Sequence, residues 1–411
     1  MQILNFGSCN VDIVYDVEHI TQPGETIVAE RLSKFPGGKG LNQAIAISKA
    51  GTDVYMAACV GEDDTMLRPI LIQAGVDVSN VLSVKESTGQ AIIQVDKKGE
   101  NSIIIYRGAN GAISKEYIDE VLNKFKADDI LVLQNEISNL FYLIDQADLK
   151  GMRIILNPSP FESVLKEIDL RKLYCLLLNE TEAMQWSGSS NPYDFLIWVK
   201  KEYPHLGVVL TLGEKGCVYL QNNKFYRQQA YKVNTVDTTA AGDTFTGYFI
   251  SGICKGLVIN EILNRASAAA AIAVSRKGAA SSIPTYHEVE EWMCESKLNV
   301  VDCLQEQKEI VGNFLESHIS DIKIEDIAML LGYSEDHTIR WIQKHFGMSF
   351  SELLQRKRCL LAAEYLRTTE KTVDEIINEV GYSNGTFFRK KFYEYYQMTP
   401  KEYRTAVKDN L

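Results

Sequence analysis

In Val236-Asp237-Thr238-Thr239-Ala240-Ala241-Gly242-Asp243-Thr244-Phe245, small residues run into a carboxylate. The chain then passes into an apolar helical stretch through Gly247 to Ile253. A helix that starts among small side chains presents bare N–H groups and the positive end of its dipole. Such a start suits the charge that develops on a transferred phosphoryl group, and a carboxylate there can take the proton of an attacking hydroxyl. Asp243 also reads as a plain N-cap, worth about 1 kcal/mol. Far upstream, Pro36-Gly37-Gly38-Lys39-Gly40-Leu41-Asn42-Gln43-Ala44 pairs glycines, which admit positive φ and close ligand approach, with the donors Lys39 and Asn42. By itself this is a turn opening a helix. It lacks the spacing of a Walker A loop.

Around these two stretches, up to about residue 290, short apolar runs alternate with helical periods. The runs are Ile3–Phe6, Val54–Val60, Ile130–Gln134, Ile154–Asn157, Cys175–Asn179 and Val208–Leu212. Buried strands alternating with helices imply an α/β fold on a mostly parallel sheet. Glu25–Phe35 and Ala91–Tyr106 instead alternate apolar with polar, the second about a Lys97-Lys98-Gly99-Glu100 turn, as half-exposed antiparallel strands of a small flap do. The 411 residues suggest two or three domains. The eight cysteines contain no CxxC pair, as in a chain with reduced, mostly buried thiols, and the expected location is cytoplasmic. The start, with Asp12 and Asp16 and no basic segment, does not read as a signal peptide, and no apolar run reaches the length of a membrane helix.

After about residue 305 the strand signal stops. Ile324–Ser334 followed by 336–346, and Val373–Ser383 followed by Asn384–Phe392, each read as a short helix, a Gly-aromatic-Ser turn and a second helix, with Ser334 and Ser383 expected as N-caps. The amphipathic helix Phe350–Leu366 lies between them and carries Arg356, Lys357 and Arg358. The expected division is 1–293, a linker at 294–305, and 306–411. The whole chain carries a net charge of −11, yet residues 305–411 hold 15 basic and 17 acidic side chains, so the acidity belongs mainly to the first part.

Taken together, the two glycine-containing stretches and Gly7-Ser8-Cys9-Asn10-Val11-Asp12 resemble the ribokinase branch of the PfkB carbohydrate kinases over residues 1 to about 293. The resemblance implies a ribokinase-like three-layer sandwich with a small β flap, using ATP, Mg2+ and K+ to phosphorylate ribose or a similar pentose. It assigns Asn10, Asp12, Gly38, Lys39, Asn42 and Glu136 to the sugar, and Asp243 to the sugar and to catalysis. Asn179, Thr211, Gly213, Gly216, Gly242 and Ser267 fall to the nucleotide, and Ala240, Ala241 and Gly242 to an anion hole. Asn179 and Glu182 match an NxxE motif, with Glu182 acting on magnesium indirectly. Asp237, Thr239, Ala273, Arg276, Gly278 and Ser282 match potassium positions, several through backbone carbonyls. Arg276 also reads as a salt-bridge partner, and Ser282 as a turn residue. Ribose is favoured because Ala271–Pro284 resembles ribokinases more than adenosine or fructose kinases.

The second part resembles an AraC/XylS-type domain, an all-α tandem helix-turn-helix, on its two repeats and the terminal Thr399-Pro400-Lys401-Glu402-Tyr403-Arg404. That implies binding to a double-stranded DNA operator. The candidates are Arg340, Lys344, Thr386, Arg389, Lys390 and Lys391, with Arg340, Lys390 and Thr386 toward base edges and Arg389 and Lys391 toward phosphate or solvent. Trp341, Ile342, Phe388 and Phe392 read as core. Asp336 and Ile339 are poor base readers, which leaves specificity to the second recognition helix, or makes the domain a weak binder that needs a dimer or a second site. A homodimer without membrane attachment is expected. The alternatives are a sugar-sensing regulator on an inactive kinase fold, a kinase for another pentose or nucleoside, or a C-terminal module that binds no DNA.

Overall fold

The structure is a computed structural model that describes residues 1–296, 304–331, 333 and 335–408. It divides into two compact units, Met1–Val300 and Val301–Leu411. The expected linker at 294–305 and the expected cap Ser334 lie wholly or largely outside the described residues.

The first unit holds thirteen strands among its described residues: β1 (Ile3–Phe6), β2 (Asn10–Asp16), β3 (Arg31–Gly37), β4 (Tyr55–Gly61), β5 (Asp77–Val84), β6 (Gly89–Val95), β7 (Asn101–Tyr106), β8 (Ile130–Gln134), β9 (Arg153–Asn157), β10 (Leu173–Asn179), β11 (Gly207–Thr211), β12 (Cys217–Gln221) and β13 (Lys224–Gln228). Nine form one sheet in the order β13-β12-β11-β10-β9-β8-β1-β4-β5. It is parallel from β5 to β11 and ends in the antiparallel pair β12 and β13. Successive side chains of one strand enter opposite cores. Leu131 and Leu133 pack on one face and Ile130 and Val132 on the other, which explains why these strands read as unbroken apolar runs. Helices cover both faces, giving the three-layer α/β sandwich.

Strand order reverses between β1 and β8, and an open α/β sheet binds its ligands beyond the carboxyl ends of the strands at such a point. Here those ends lead into Gly7-Ser8 and Asn135-Glu136. The flap is a separate sheet, β3-β2-β6-β7. The Ala91–Tyr106 hairpin forms as expected. The expected strand Glu25–Phe35 does not: β3 starts only at Arg31, because its partner β2 ends at Asp16, the residue registered with Arg31. Glu25 instead bonds His19 and the Gln22 N–H.

The second unit has seven helices among its described residues: Leu304–Ser317, Ile324–Leu331, Glu335–Phe346, Phe350–Thr368, Val373–Glu379, Gly385–Tyr396 and Pro400–Lys408. Capping boxes start the long helix (Ser349 with Glu352) and the one after it (Thr372 with Glu375). Trp341, Ile342, Phe388 and Phe392 are buried, as their core reading requires. One expectation fails. The Gly385–Tyr396 helix is capped by Asn384, not Ser383, because the Asn384 Oδ1 accepts both the Thr386 and Phe387 N–H groups.

Candidate active site

Asp243 stands in the first turn of the Ala241–Cys254 helix, not at its N-cap, and is buried. The cap is Ala240, at φ +60°, and no side chain caps the turn. The Ala241 N–H reaches the Thr238 oxygen at 3.3 Å. Those of Gly242 and Asp243 are among the donors a helix start leaves without intrahelical partners. Nothing lies within 4 Å of where a Gly242 side chain would stand, so that side of the turn is open.

The Lys39–Lys49 helix lies against this turn. A side chain on Gly247 would overlap Ala46, and that bare contact lets the two helices close. One turn earlier, Asn42 Nδ2 donates to Asp243 Oδ2 at 3.0 Å and Gln43 Nε2 donates to Asp243 Oδ1 at 2.9 Å. Asn42 Oδ1 has no hydrogen-bond partner among the described residues. Gly38, at φ +93°, opens the Lys39–Lys49 helix, and the Lys39 N–H bonds Glu136 Oε2 at 3.1 Å. Ser8 Oγ donates to the same carboxylate oxygen.

Asn10 and Asp12, two residues apart on β2, share one face of the flap sheet. Asn10 Oδ1 accepts from Asn110 at 2.7 Å. A side chain on Gly37 would overlap the Asp12 carboxylate, and one on Gly89 would overlap the Asn10–Asn110 pair. Burial, then the like charges of Glu136 and Asp243, push the Asp12 carboxyl up to about 7. Burial also raises Glu136, against the opposing effects of Lys39 and Ser8. Burial acts to lower Lys39, but Asp243, Glu136 and Glu182 outweigh it and hold the ammonium charged. Ser8, Gln43 and Asn110 were missed in the sequence. Gln43, beside Asn42, and Ser8, two residues before Asn10, lay inside quoted motifs, whereas Asn110 carried no signal.

The NxxE pair is a capping box: Asn179 Oδ1 accepts from the Glu182 N–H at 2.9 Å, and Glu182 Oε2 from the Asn179 N–H at 3.0 Å. This holds a buried carboxylate in the field of Lys39. Asn179 is registered with Thr211, and Thr211 with Cys217. Gly213 and Gly216, at φ +55° and +89°, turn the chain between those strands. Ser267 is buried beside the Cys217 thiol.

Asp237 joins two loops, since Oδ1 accepts the Thr239 N–H and Oδ2 the Gly278 N–H, both at 2.9 Å. Burial opposes its ionisation, but these bonds prevail and lower its pKa. The Arg276 side chain pairs with Glu288 at 2.7 Å, which leaves only its carbonyl for a cation. Ser282 is buried, with its hydroxyl on the Ala279 oxygen, while Ala273 lies within the Ile259–Val274 helix. Oxygen donors alone suit a hard monovalent ion. Among the described residues no cluster of three His, Cys, Asp or Glu forms a metal centre.

In the second unit, Arg340, Lys344, Thr386, Arg389 and Lys390 are exposed and Lys391 is half-buried. Arg389 pairs with Asp374 at 2.6 Å and Lys391 with Glu394 at 2.7 Å. The Arg340 Nε bonds the Asp336 oxygen at 3.2 Å. Arg358 is structural: it donates to the Ile319 and Ser320 carbonyls, both at 2.8 Å. No helix among the described residues is long and apolar enough to cross a membrane.

A family profile of pfkB family carbohydrate kinases matches residues 2–286, and one of helix-turn-helix domains matches residues 327–406. The sandwich, flap and buried carboxylate of the first unit therefore mark a carbohydrate kinase, and the chain belongs to the PfkB family. Within it the enzyme is a ribokinase-type carbohydrate kinase, joined to a helix-turn-helix domain of AraC/XylS type. It is 34% identical to the ribokinase of Haemophilus influenzae over 296 residues, which is 70% of this chain and 96% of that protein. It is 31% identical to the deoxyribokinase of Salmonella typhi, covering 71% and 99%. The structure of Arabidopsis thaliana ribokinase complexed with ribose and ATP superimposes with a TM-score of 0.64 at 30% identity, covering 71% of this chain and 98% of that one.

Proposed function

We propose that the first unit transfers the γ-phosphoryl group of ATP to the primary hydroxyl of D-ribose, giving ribose 5-phosphate, and that the second unit binds an operator in double-stranded DNA. The observation that carries the kinase reading is the buried Asp243 carboxylate, held by an amide on each oxygen at a bare helix start.

Asn10, Asp12, Lys39, Asn42 and Glu136 hold the sugar, together with the Gly38 backbone, and the unpartnered Asn42 Oδ1 offers an acceptor to a hydroxyl. Asp243 takes the proton of the attacking hydroxyl. The first-turn amides, Gly242 and Asp243 foremost, meet the charge on the transferred group. Asn179, Thr211, Gly213, Gly216 and Ser267 line the nucleotide. The flap covers the sugar and excludes water. Glu182, buried in the field of Lys39, would act indirectly on magnesium, which would supply neutralising charge for the phosphates. Asp237 and the backbone around Thr239, Ala273, Arg276, Gly278 and Ser282 would hold potassium, which adds positive potential beside the anion hole.

Ribose-dependent ATP turnover, stimulated by potassium and lost in Asp243→Ala, is the expected result. Preference for deoxyribose would revise the substrate. Ribose binding without turnover would make the kinase fold a sensor. The apolar, exposed Leu32, Ile104 and Tyr106, on the face of the flap sheet opposite Asp12, support a homodimer through that sheet. A monomer in sedimentation would refute it. In a dimer, sugar or nucleotide that closes the flap would alter the spacing of paired DNA-binding domains. Operator affinity unchanged by ribose and ATP would refute that coupling.

A further inference from the structure

Behind Asp243 runs a chain of buried carboxamides. Asn5 Nδ2 donates to the Gly40 carbonyl at 2.6 Å. Gln134 Nε2 donates both to Asn5 Oδ1 at 3.1 Å and to Gln43 Oε1 at 2.7 Å. Gln43 Nε2 donates to Asp243 Oδ1 at 2.9 Å and to Asn157 Oδ1 at 3.3 Å. Asn5, Gln43 and Gln134 are fully buried.

Both ends of this chain, a backbone carbonyl and a carboxylate, only accept. Hydrogen bonds strung between two acceptors need one member that donates in both directions. Gln134 is that member: its NH2 has two hydrogens, and its Oε1 is left without a partner among the described residues. The polarity of Gln43 follows, with its carbonyl toward Gln134 and its NH2 toward Asp243. The missing side chain of Gly7 makes room for the Gln134 carboxamide.

We infer that Gln43 is a positioning residue for phosphoryl transfer, and that Gln134 sets the direction of its amide. This rests on the reading of Asp243 as the base. With Asn42 on one oxygen and Gln43 on the other, the carboxylate plane is pinned, while each oxygen keeps a lone pair for the sugar proton. The charged groups that face it are Lys39, Glu136 and Asp12.

The test uses the full chain and four variants: Gln43→Met, which keeps length and volume but removes the donor; Gln43→Glu, which puts a carboxyl against Asp243; Gln134→Glu, which cannot donate both ways; and Asp243→Asn. Turnover is followed against pH and sugar concentration, with sugar affinity by calorimetry and folding by thermal unfolding. In Gln43→Met, kcat should fall about 100-fold, the scale of a small misplacement of a reacting group. Its KM and calorimetric sugar affinity should change only a few-fold. Losing one N–H donor to the carboxylate disfavours its charged form, so the acid limb of kcat should move to higher pH. Gln43→Glu should move it further, since two carboxylates then share the site. Gln134→Glu should lower kcat in the same sense, although it touches neither sugar nor Asp243.

A Gln43→Met enzyme with unchanged kcat and pH profile would overturn the inference. So would equal losses in kcat and sugar affinity with the limb unmoved. Asp243→Asn separates the two failures. Full turnover there removes the base itself, whereas an inactive Asp243→Asn beside an unaffected Gln43→Met refutes only the positioning.

Discussion

Replacing Asp12 by Asn is expected to stabilise the sugar-free protein at alkaline pH while weakening its sugar affinity. The Asp12 carboxyl, held under the flap near Glu136 and Asp243, titrates at about 7, well above its ordinary 3.8. Between those values the folded chain keeps a proton that the unfolded chain has lost. Stability therefore falls as pH rises through that window, and the loss is complete above about pH 7. Some three pH units at about 1.4 kcal/mol each set an upper limit of ~4 kcal/mol, and partial contact with solvent brings the expected value to roughly 2–4 kcal/mol. Asn keeps the shape and never ionises. Urea unfolding of both proteins without sugar, following the first unit, should show only a small difference at about pH 4 and the full gain for Asp12→Asn at about pH 8.5. In return the variant loses a charged acceptor for sugar hydroxyls, costing about 2 kcal/mol of binding, or roughly 30-fold. An equal stability difference at the two pH values, or unchanged sugar affinity by calorimetry, would refute the argument.

Gly247→Ala should separate the two helices that bring Asn42 and Gln43 to Asp243, because its methyl meets Ala46. A loss of about 1–3 kcal/mol is expected, and kcat should fall more than KM rises. In the second unit, Gly381 sits at φ +81° with Ser320 backbone where a side chain would go. Gly381→Ala should cost roughly 3 kcal/mol or more and abolish DNA binding while sugar-kinase turnover stays intact, as circular dichroism, gel shift and turnover would show. Lys390→Ala should weaken operator binding by about 1–3 kcal/mol and Arg340→Ala by less, because the first recognition helix also exposes Asp336 and Ile339. The reverse ranking would place specificity in the first helix-turn-helix.

Much of the fold was legible because its signals are local. Strand cores such as Leu131–Leu133 are apolar on both faces, helices begin at small or capping residues, and the tandem repeat shows itself by its own spacing. Of the two places where the sequence reading slipped, one had its deciding partner far along the chain and the other only two or three residues away. Strand β3 begins late because β2 ends at Asp16. Asn384 outcompetes Ser383 because its carboxamide reaches two N–H groups at once.

The residues alone establish a two-part chain, an α/β rhythm with a flap, and the kind of chemistry that Lys39, Asn42 and Asp243 can perform. Those are properties of side-chain type and short spacing. Only the tertiary structure decided that Asn179 and Glu182 close a capping box, that Asn110 holds Asn10, and that Gln134 orients Gln43 toward Asp243. Gln43 and Asp243 stand 200 residues apart in the chain. A hydrogen bond across that distance leaves no periodicity behind it, and exists because Gly247 and Ala46 let two helices close and bring the buried amide donor of Gln43 onto the carboxylate.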